Sequence, residues 1–443
     1  MKAVLRHKLH AGLFDQNPYL YSTDKIELDT PDERQTSYQI ATQSVVLLEN
    51  NGILPLGAKQ SAEKSELNVL LTGPNANSMW AMCGDYAFPS MTYFWKLITT
   101  DLDHPHVVPL LEGMTSRRPN GVTISYSRGC DWTDTIETQL SNGGDKRAWD
   151  YEILHRKVES GEKADKAEAL RLAAKSDVIV AAVGENVMLC GENRDRQGLR
   201  LPGRQEEFVN ELIATGKPVV LVIFGGRAQV VSGLAEKCAA VIQAWYPGEE
   251  GGNAVADILY GRVSPSAKLS VSYPNAEVYE PICYNRSTTP DSRVQWPFGY
   301  GLSYSTFEYS NLQIDSEIST NSPCVNLSFE VKNTGSIAAD EIAQIYLSPT
   351  ADNQNIRPIQ LQGFARISLN PGETKTVRVK LHTEQFGYYS NNGQRQWNIA
   401  PGEFCVKIGA SSTDIRLQKN VTLKGKSVVK KLRENYLSEA AVE

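Results

Sequence analysis

No run of apolar residues in this chain approaches the roughly 18 that a membrane-spanning helix requires, so we predict no membrane segment. Long basic runs are also absent. The most basic stretch, 424–433, is predicted to be a solvated helix face. Together with a formal net charge of -6, this argues against nucleic acid as a partner. Residues 1–8 are basic, but no apolar segment follows them. We therefore predict no signal peptide, and the compartment stays undetermined.

Several catalytic and metal-binding patterns are missing as well. The seven cysteines are scattered, odd in number and never arranged as C-x-x-C, which argues against a zinc site or a redox pair. Without G-x-S-x-G or H-E-x-x-H, a serine hydrolase or a zinc protease is not indicated. No dinucleotide or Walker pattern follows a predicted strand, so no cofactor is expected. The composition, with 41% hydrophobic and 22% charged residues, is that of an ordinary globular protein.

Residues 1–60 are predicted to be a connector that leads into a helix. Pro31 stands at a favourable first-turn position of that helix. Its apolar face would include Ile40, Val45 and Leu48.

Residues 61–275 alternate apolar segments with helical patterns. The apolar segments are 69–71, 122–124, 178–183, 219–224 and 240–242. The helical patterns between them cover roughly 164–176, 205–216, 227–238 and 250–260. Continuous apolar runs of this kind are typical of strands that are buried on both faces. The order predicts a doubly wound, mostly parallel α/β sandwich.

The pattern changes its period after residue 306. Apolar residues then alternate with polar ones, as at Val325, Leu327, Phe329 and Val331, and turn residues separate these segments. We predict an antiparallel β-sandwich over 306–425 that follows a linker at 276–305, with a tail at 426–443. The fold class is therefore α/β plus all-β.

Two acids and two arginines lie within five residues of the loop at 190–196, after a predicted strand. Ligands of open α/β sheets bind beyond the carboxyl ends of the strands. A general acid needs a carboxyl group with a raised pKa. We predict that Asp195 pairs with Arg194 or Arg196, which leaves Glu192 free to face a ligand. The alternative is a self-neutralised surface loop without chemistry.

Aromatic residues cluster shortly after the first predicted strand. They are Trp80, Tyr86, Phe88, Tyr93, Phe94 and Trp95. Sugar rings stack on such faces, and core packing explains the cluster equally well. Trp80, Asp85 and Tyr86 are the predicted substrate contacts.

Four stretches together resemble glycoside hydrolase family 3. They are 44–56, 191–196 with 201–203 and Gln205 after it, 247–261, and 297–304. The resemblance covers nearly the whole chain. Two departures from the family pattern are Cys190, where many relatives have Glu, and Lys268-Leu269-Ser270, where Leu-Pro is usual.

The resemblance implies retaining hydrolysis of β-linked glycosides by a three-part assembly. Its parts are a (β/α)8 barrel, an α/β sandwich and a fibronectin type III-like domain. Glu192 matches the family's general acid/base, with Arg194, Asp195 and Arg196 in support. The barrel's aspartate nucleophile lies in a stretch resembling S-D-W, which these residues do not contain. We therefore expect the C-terminal portion of such an enzyme, without the barrel and nearly inactive alone.

Three hypotheses follow from this resemblance. In the first, the chain is part of a β-glycosidase, as a fragment, as the product of a truncated gene or as one half of a split enzyme that meets a separate barrel chain. In the second, it is a non-catalytic carbohydrate-binding or scaffolding protein. In the third, it is a degenerate gene product. The expected ligand is a β-linked oligosaccharide or glycoside, and a homo-oligomer is a further option. The sugar and the linkage stay undetermined.

Overall fold

The computed structural model describes residues 1–15, 29–57, 66–88, 90, 106–132, 163–191, 196, 198–287, 289–350, 356–390 and 396–443. Its α-helices are α1 (Lys2–His10), α2 (Pro31–Thr42), α3 (Leu110–Arg117), α4 (Lys166–Lys175), α5 (Gln205–Ala214), α6 (Ser232–Ala235) and α7 (Gly251–Leu259). Short 3-10 turns cover Met79–Ala81, Val187–Leu189 and Thr383–Phe386. None of the described helices is long and apolar enough to cross a membrane.

Six strands form the sheet of the N-terminal α/β domain. They are β1 (Val46–Asn50), β2 (Leu67–Thr72), β3 (Val122–Ser127), β4 (Val178–Gly184), β5 (Val219–Phe224) and β6 (Ala240–Trp245). Their order is β1-β6-β5-β4-β2-β3. Strands β2 to β6 are parallel, and β1 runs antiparallel on the edge beside β6.

Strand β4 explains why this sheet needs cover on both faces. All seven of its residues are buried. Val180 and Ala182 face one hydrophobic cluster, whereas Ile179 and Ala181 face the other. Helices α3 and α7 supply residues to the first cluster, and α4, α5 and α6 supply the second. The doubly wound α/β sandwich is therefore confirmed.

Helix α2 begins as predicted but ends earlier. Thr30 and Glu33 form a capping box, in which the Glu33 carboxylate accepts from the Thr30 backbone N–H at 2.7 Å. The helix stops at Thr42. Ile40 is 64% exposed, so it does not lie on a buried helix face.

Val45 and Leu48, predicted on the same helix, lie before and within β1 and are fully buried. Neighbouring Leu47 and Leu48 face opposite hydrophobic clusters, which is the period of a strand. The predicted helical period was therefore wrong here, because β6 offers an edge that this apolar segment can pair with. The sheet begins within the predicted connector.

The helix predicted at 227–238 is also mostly absent. Only α6 is helical, and Val230 instead forms a bridge with Arg200. The Val230 backbone N–H donates to the Leu199 carbonyl at 2.8 Å. A long-range backbone pairing thus replaces the first turns of the expected helix.

The remaining strands begin just before the predicted linker, and the second of them lies within it. They are β7 (Tyr273–Pro274), β8 (Val294–Trp296), β9 (Phe307–Ile314), β10 (Glu317–Ser319), β11 (Cys324–Asn333), β12 (Ala339–Pro349), β13 (Gln360–Leu369), β14 (Thr374–His382), β15 (Tyr388–Tyr389), β16 (Trp397–Ile399), β17 (Gly402–Gly409), β18 (Ile415–Lys424), β19 (Val428–Lys430) and β20 (Glu439–Val442). Two facing sheets, β10-β18-β17-β12-β13 and β20-β14-β11-β9, enclose one core. This is the predicted β-sandwich.

The segment between the two domains is packed rather than loose. Trp296 is 2% exposed and donates from Nε1 to the Glu49 carboxylate at 2.7 Å. Tyr273 contacts the Trp296 ring edge-on, with ring centroids 5.7 Å apart. These contacts hold the segment against the α/β sandwich.

The C-terminal residues join the β-sandwich instead of forming the predicted helix face at 424–433. Strand β19 pairs with β16, and β20 pairs with β14. The first residue of the predicted helix face, Lys424, belongs to β18, whose residues alternate in exposure as in a strand and not with a helical period. The predicted tail thus contributes edge strands.

Glu384 anchors these last strands. Its carboxylate accepts from Lys430 and from the backbone N–H groups of Glu434 and Asn435, the latter at 3.0 and 2.8 Å. Burial opposes the charged form, yet these donors outweigh it and lower the pKa of Glu384 to about 2. The carboxylate therefore stays ionised and keeps its three partners at neutral pH.

Candidate active site

The carboxyl ends of β4, β5 and β6 bring together the residues that follow these strands. Glu185 comes directly after β4, and its backbone N–H donates to the Phe224 carbonyl at 2.9 Å. Gly225 follows β5 and donates to the Trp245 carbonyl at 3.0 Å. This edge is where an open α/β sheet places its ligands. Glu185 is the charged group at its centre.

Glu185 is fully buried between two arginines. Arg196 contacts one carboxylate oxygen, and Nη1 of Arg227 lies 2.6 Å from the other. The Arg196 side chain is only 2% exposed, whereas that of Arg227 is 27% exposed. Arg227 also donates to the Leu189 carbonyl at 3.1 Å. The carboxylate is therefore compensated on both oxygens, as a buried charge requires.

These two arginines hold both ends of the 190–196 loop. Arg227 binds the 3-10 turn that enters the loop, and Arg196 is the last residue of the loop itself. Arg196 further donates to the Arg200 carbonyl. A single buried carboxylate thus ties the entrance and the exit of the loop to the sheet.

The predicted acid/base residue Glu192 lies outside the described residues, as do Arg194 and Asp195. The pairing proposed for Asp195 therefore stays a prediction. Arg196 is described, and its partners are Glu185 and the Arg200 carbonyl. Arg196 thus has a structural role that the pairing hypothesis did not include.

Glu277 binds the chain just beyond the loop. Its carboxylate accepts from the backbone N–H groups of Leu199 and Arg200, both at 3.0 Å. Gly198 has a φ of +72°, in the left-handed region, and a Cβ there would lie 2.9 Å from Glu277 Oε1. The loop exit therefore depends on a residue from the interdomain segment.

Replacing Glu277 by glutamine should loosen the loop exit without unfolding the domain. Hydrogen bonds to a charged acceptor contribute about 1.5–3 kcal/mol, so amide exchange at 199 and 200 should accelerate by at least about tenfold. Hydrogen exchange of wild type and variant measures this. Glu280→Gln is the matched control, because the Glu280 side chain is 87% exposed. Equal exchange in both variants would contradict this role of Glu277.

A buried amide network surrounds the strand end. Gln205 accepts from the Gly184 N–H at 2.8 Å and donates to the Gly184 carbonyl at 2.9 Å and to the Trp132 carbonyl at 3.1 Å. Asn75 donates to the Glu185 carbonyl at 2.9 Å and accepts from Trp132 Nε1. Such fully paired networks rigidify a site. The backbone around Glu185 is therefore held by two loops, which contain Asn75 and Trp132, and by the first residue of α5, Gln205.

Tyr246, after β6, completes the described part of the site. Burial raises its pKa, and the nearby Cys190 thiol and Glu185 carboxylate add to this effect. Its ring lies 3.2 Å from the Cβ position of Gly226, so a side chain at 226 would require the ring to shift slightly. Tyr246 therefore remains a neutral phenol at physiological pH.

The three predicted substrate contacts differ in exposure. Trp80 is 1% exposed and Asp85 is 8% exposed, whereas Tyr86 is 67% exposed. Trp80 is thus buried, whereas Tyr86 presents an exposed ring, and the three substrate contacts stay predictions. Phe88 is 58% exposed, and residues 93–95 of the aromatic cluster lie outside the described residues.

Sequence reasoning assigned no role to Glu185, Arg227 or Glu277, and it included Gln205 only in a family-like stretch. A carboxylate directly after a fully buried strand was a usable signal for Glu185, because such a residue must find a cation. Nothing in the local pattern indicated Glu277, which is 78 residues away from its partner Leu199. In the described part of the chain, no group of three or more His, Cys, Asp or Glu side chains is arranged to hold a metal ion.

Comparison with known proteins assigns the family. The model of the glycosyl hydrolase family 3 C-terminal domain matches residues 45–304, which is more than half of the chain. The chain belongs to glycoside hydrolase family 3. A fibronectin type III-like domain model matches residues 341–412.

Characterised members of glycoside hydrolase family 3 align over most of the chain. A beta-xylosidase from Formosa agariphila is 30% identical over 92% of this chain and 53% of its own length. A periplasmic beta-glucosidase from Salmonella typhimurium is 30% identical over 93% of this chain and 54% of its length. The crystal structure of a beta-glucosidase from Listeria innocua superposes with a TM-score of 0.75, at 27% identity, over 95% of this chain and 54% of that one. The chain spans about half the length of these relatives.

The two departures from the family 3 pattern have structural partners here. The Cys190 thiol lies 3.8 Å from the Val187 carbonyl and near Tyr246. Lys268 donates to the Gly301 carbonyl at 2.8 Å and lies 3.5 Å from Glu341 of the β-sandwich. Lys268 thus links the two domains.

Proposed function

We propose that these residues supply the general acid/base of a retaining β-glycosidase and that Glu192 is that residue. The single observation that supports this most strongly is the pair of buried ion contacts from Glu185 to Arg196 and Arg227. They clamp the loop containing Glu192 at the carboxyl edge of the sheet. A loop tied at both ends can present one carboxyl group at a fixed height above that edge.

In the proposed reaction Glu192 protonates the departing glycosidic oxygen. A carboxylate on the opposite side attacks the anomeric carbon, and Glu192 then removes a proton from the water that releases the sugar. Retaining enzymes of this type hold the two carboxyl groups about 5–5.5 Å apart. The buried, ion-paired Glu185 is unsuited to be the attacking group, because both of its oxygens face arginines.

We propose that the attacking carboxylate comes from polypeptide other than residues 1–443, in a (β/α)8 barrel. The exposed rings of Tyr86 and Phe88 favour the adjoining surface as the docking face. On this proposal, purified residues 1–443 hydrolyse glycosides very slowly. Loss of the nucleophile from a covalent mechanism lowers the rate by several orders of magnitude. β-Glucosides and β-xylosides are the proposed substrates, in line with the names of the relatives.

The test compares residues 1–443 with a chimera. In the chimera, the N-terminal half of the Formosa agariphila relative is fused before residue 1, and the intact relative is the positive control. We expect no turnover of 4-nitrophenyl β-glucoside or β-xyloside by residues 1–443 and measurable turnover by the chimera. Turnover by residues 1–443 alone would overturn the proposed division of the catalytic pair.

Calorimetry with cello- and xylo-oligosaccharides distinguishes the alternative function. An inactive chimera together with tight binding of an oligosaccharide by residues 1–443 would replace the proposal with a non-catalytic carbohydrate-binding role.

A further inference from the structure

A cavity lies away from the Glu185 edge, between the interdomain segment and the β-sandwich. Its volume is about 420 Å³, within the range of about 300–1,000 Å³ that small-molecule sites occupy. The segment 281–297 forms one wall. Residues of β17, β18 and the turn between them form the other.

The cavity is held open by contacts that do not involve a ligand. Tyr284 stacks on Phe298, with ring centroids 4.1 Å apart and planes 10° from parallel. The Tyr284 hydroxyl accepts from the Leu361 backbone N–H at 3.1 Å. These contacts fasten the segment to the β-sandwich, so the space between them is preformed.

Apolar side chains supply much of the lining. Ile282 comes from the segment, Ile359 precedes β13, and Ile415 begins β18. Such walls favour a ligand with an apolar body, because its transfer from water releases hydration free energy.

The charges in the lining are predominantly positive. The lining contains three cations and one carboxylate, namely Arg286, Arg293, Lys407 and Asp291. The formal charge of the lining is therefore +2, whereas the net charge of the chain is -6. Asp291 is already paired with Arg293 at 2.7 Å. Among the described residues, the structure records no ion pair for Arg286 or Lys407. Their field therefore favours an anion.

A buried acceptor completes the lining. The side-chain oxygen of Gln295 is shielded from solvent and has no hydrogen-bond partner among the described residues. An unpaired buried acceptor costs free energy, which a donor on a ligand would recover. The ligand should therefore present a hydroxyl group as well as an anion.

From these features we infer that this cavity binds a small hydroxy acid with an apolar body and one carboxylate. The apolar body lies between Ile282 and Ile415, the carboxylate faces Lys407 and Arg286, and the hydroxyl donates to Gln295. The site is independent of the glycosidase proposal, because none of its residues pairs with Glu185, Arg196 or Arg227 in the part of the chain that the structure describes.

Isothermal titration of residues 1–443 with 4-hydroxycinnamate tests this site. We expect saturable one-to-one binding that weakens by at least about tenfold for 4-hydroxycinnamamide, which has the same shape without the charge. Lys407→Gln should weaken binding of the acid by at least about fivefold and leave binding of the amide unchanged. Lys424→Gln is the matched control, since Lys424 pairs with Glu317 away from the cavity.

A second variant fills the cavity. Thr413 is an exposed turn residue in the lining, so Thr413→Trp should abolish binding without loss of the fold, which thermal unfolding checks. Absence of saturable binding to the wild-type chain would overturn the inference. So would equal affinity for acid and amide, or undiminished binding in folded Thr413→Trp.

Discussion

Glu192→Gln in the chimera is expected to lower kcat on alkyl β-glycosides by about 10²–10⁴-fold, the usual contribution of a general acid. Alkoxide leaving groups need a proton as the glycosidic bond breaks, and glutamine cannot donate it. With 2,4-dinitrophenyl β-glycosides the leaving group departs without that proton, so bond cleavage should be far less affected. Kinetic comparison of the two leaving groups measures the difference.

The same variant tests the second role of Glu192. Without a base to activate water, the glycosyl-enzyme intermediate should accumulate, and azide should restore turnover because it attacks without losing a proton. The product is then a glycosyl azide of retained configuration. Glu207→Gln is the matched control, as Glu207 pairs with Arg204 on the surface. An equal rate loss for both leaving groups, without rescue by azide, would remove Glu192 from the mechanism.

Glu185→Ala in residues 1–443 should destabilise the α/β sandwich by about 3–5 kcal/mol, because removal of one partner leaves Arg196 charged and buried. Arg227 can turn toward solvent, but the Arg196 side chain is only 2% exposed. Denaturant-dependent hydrogen exchange of β4 and β5 reports this domain separately from the β-sandwich.

Two further variants assign the loss to the buried charge. Glu207→Gln removes a surface pair and should change stability by no more than about 1 kcal/mol. Glu185→Met combined with Arg196→Met should recover part of the loss, since apolar replacement of both partners leaves no unpaired charge in the buried position, and Arg227 can turn toward solvent. If Glu185→Ala is as stable as Glu207→Gln, the clamp does not stabilise the sheet edge.

The α/β sandwich was predictable because the residues of each central strand indicate by themselves that the strand is buried on both faces. The residues of β4 and β5 are apolar throughout, and only burial on both faces makes such strands stable in water. The β-sandwich was predictable for the corresponding reason, since alternation in β11 and β14 shows one buried and one exposed face.

Strand β1 shows where local patterns were insufficient. Residues 45–48 are apolar without interruption, and that run fits a buried helix as well as a buried strand. The segment forms a strand because it pairs with the edge of β6, and no local pattern indicates that this edge is available. Similarly, Trp80 is an aromatic residue of the kind that stacks on sugar rings. Its burial depends on the elements that cover it, which the local sequence does not reveal.

The candidate site divides in the same way. The loop at 190–196 and its carboxyl groups were found from the sequence, because acids and arginines on a loop after a buried strand are a local feature. The clamp was not found, because Glu185 is 11 residues from Arg196 and 42 from Arg227. Residues separated by that many positions come into contact only when the ends of β4 and β5 pack beside the end of the loop.

The sequence alone determined the two domain types, the family resemblance and the loop that bears Glu192. Each depends on residues close together in the chain, where period and motif are visible. Only the tertiary structure decided the partner of Arg196, the anchoring of the loop exit by Glu277 and the cavity between the domains. Those features join residues far apart in the chain, and their energies arise from burial and charge pairing that exist only after folding.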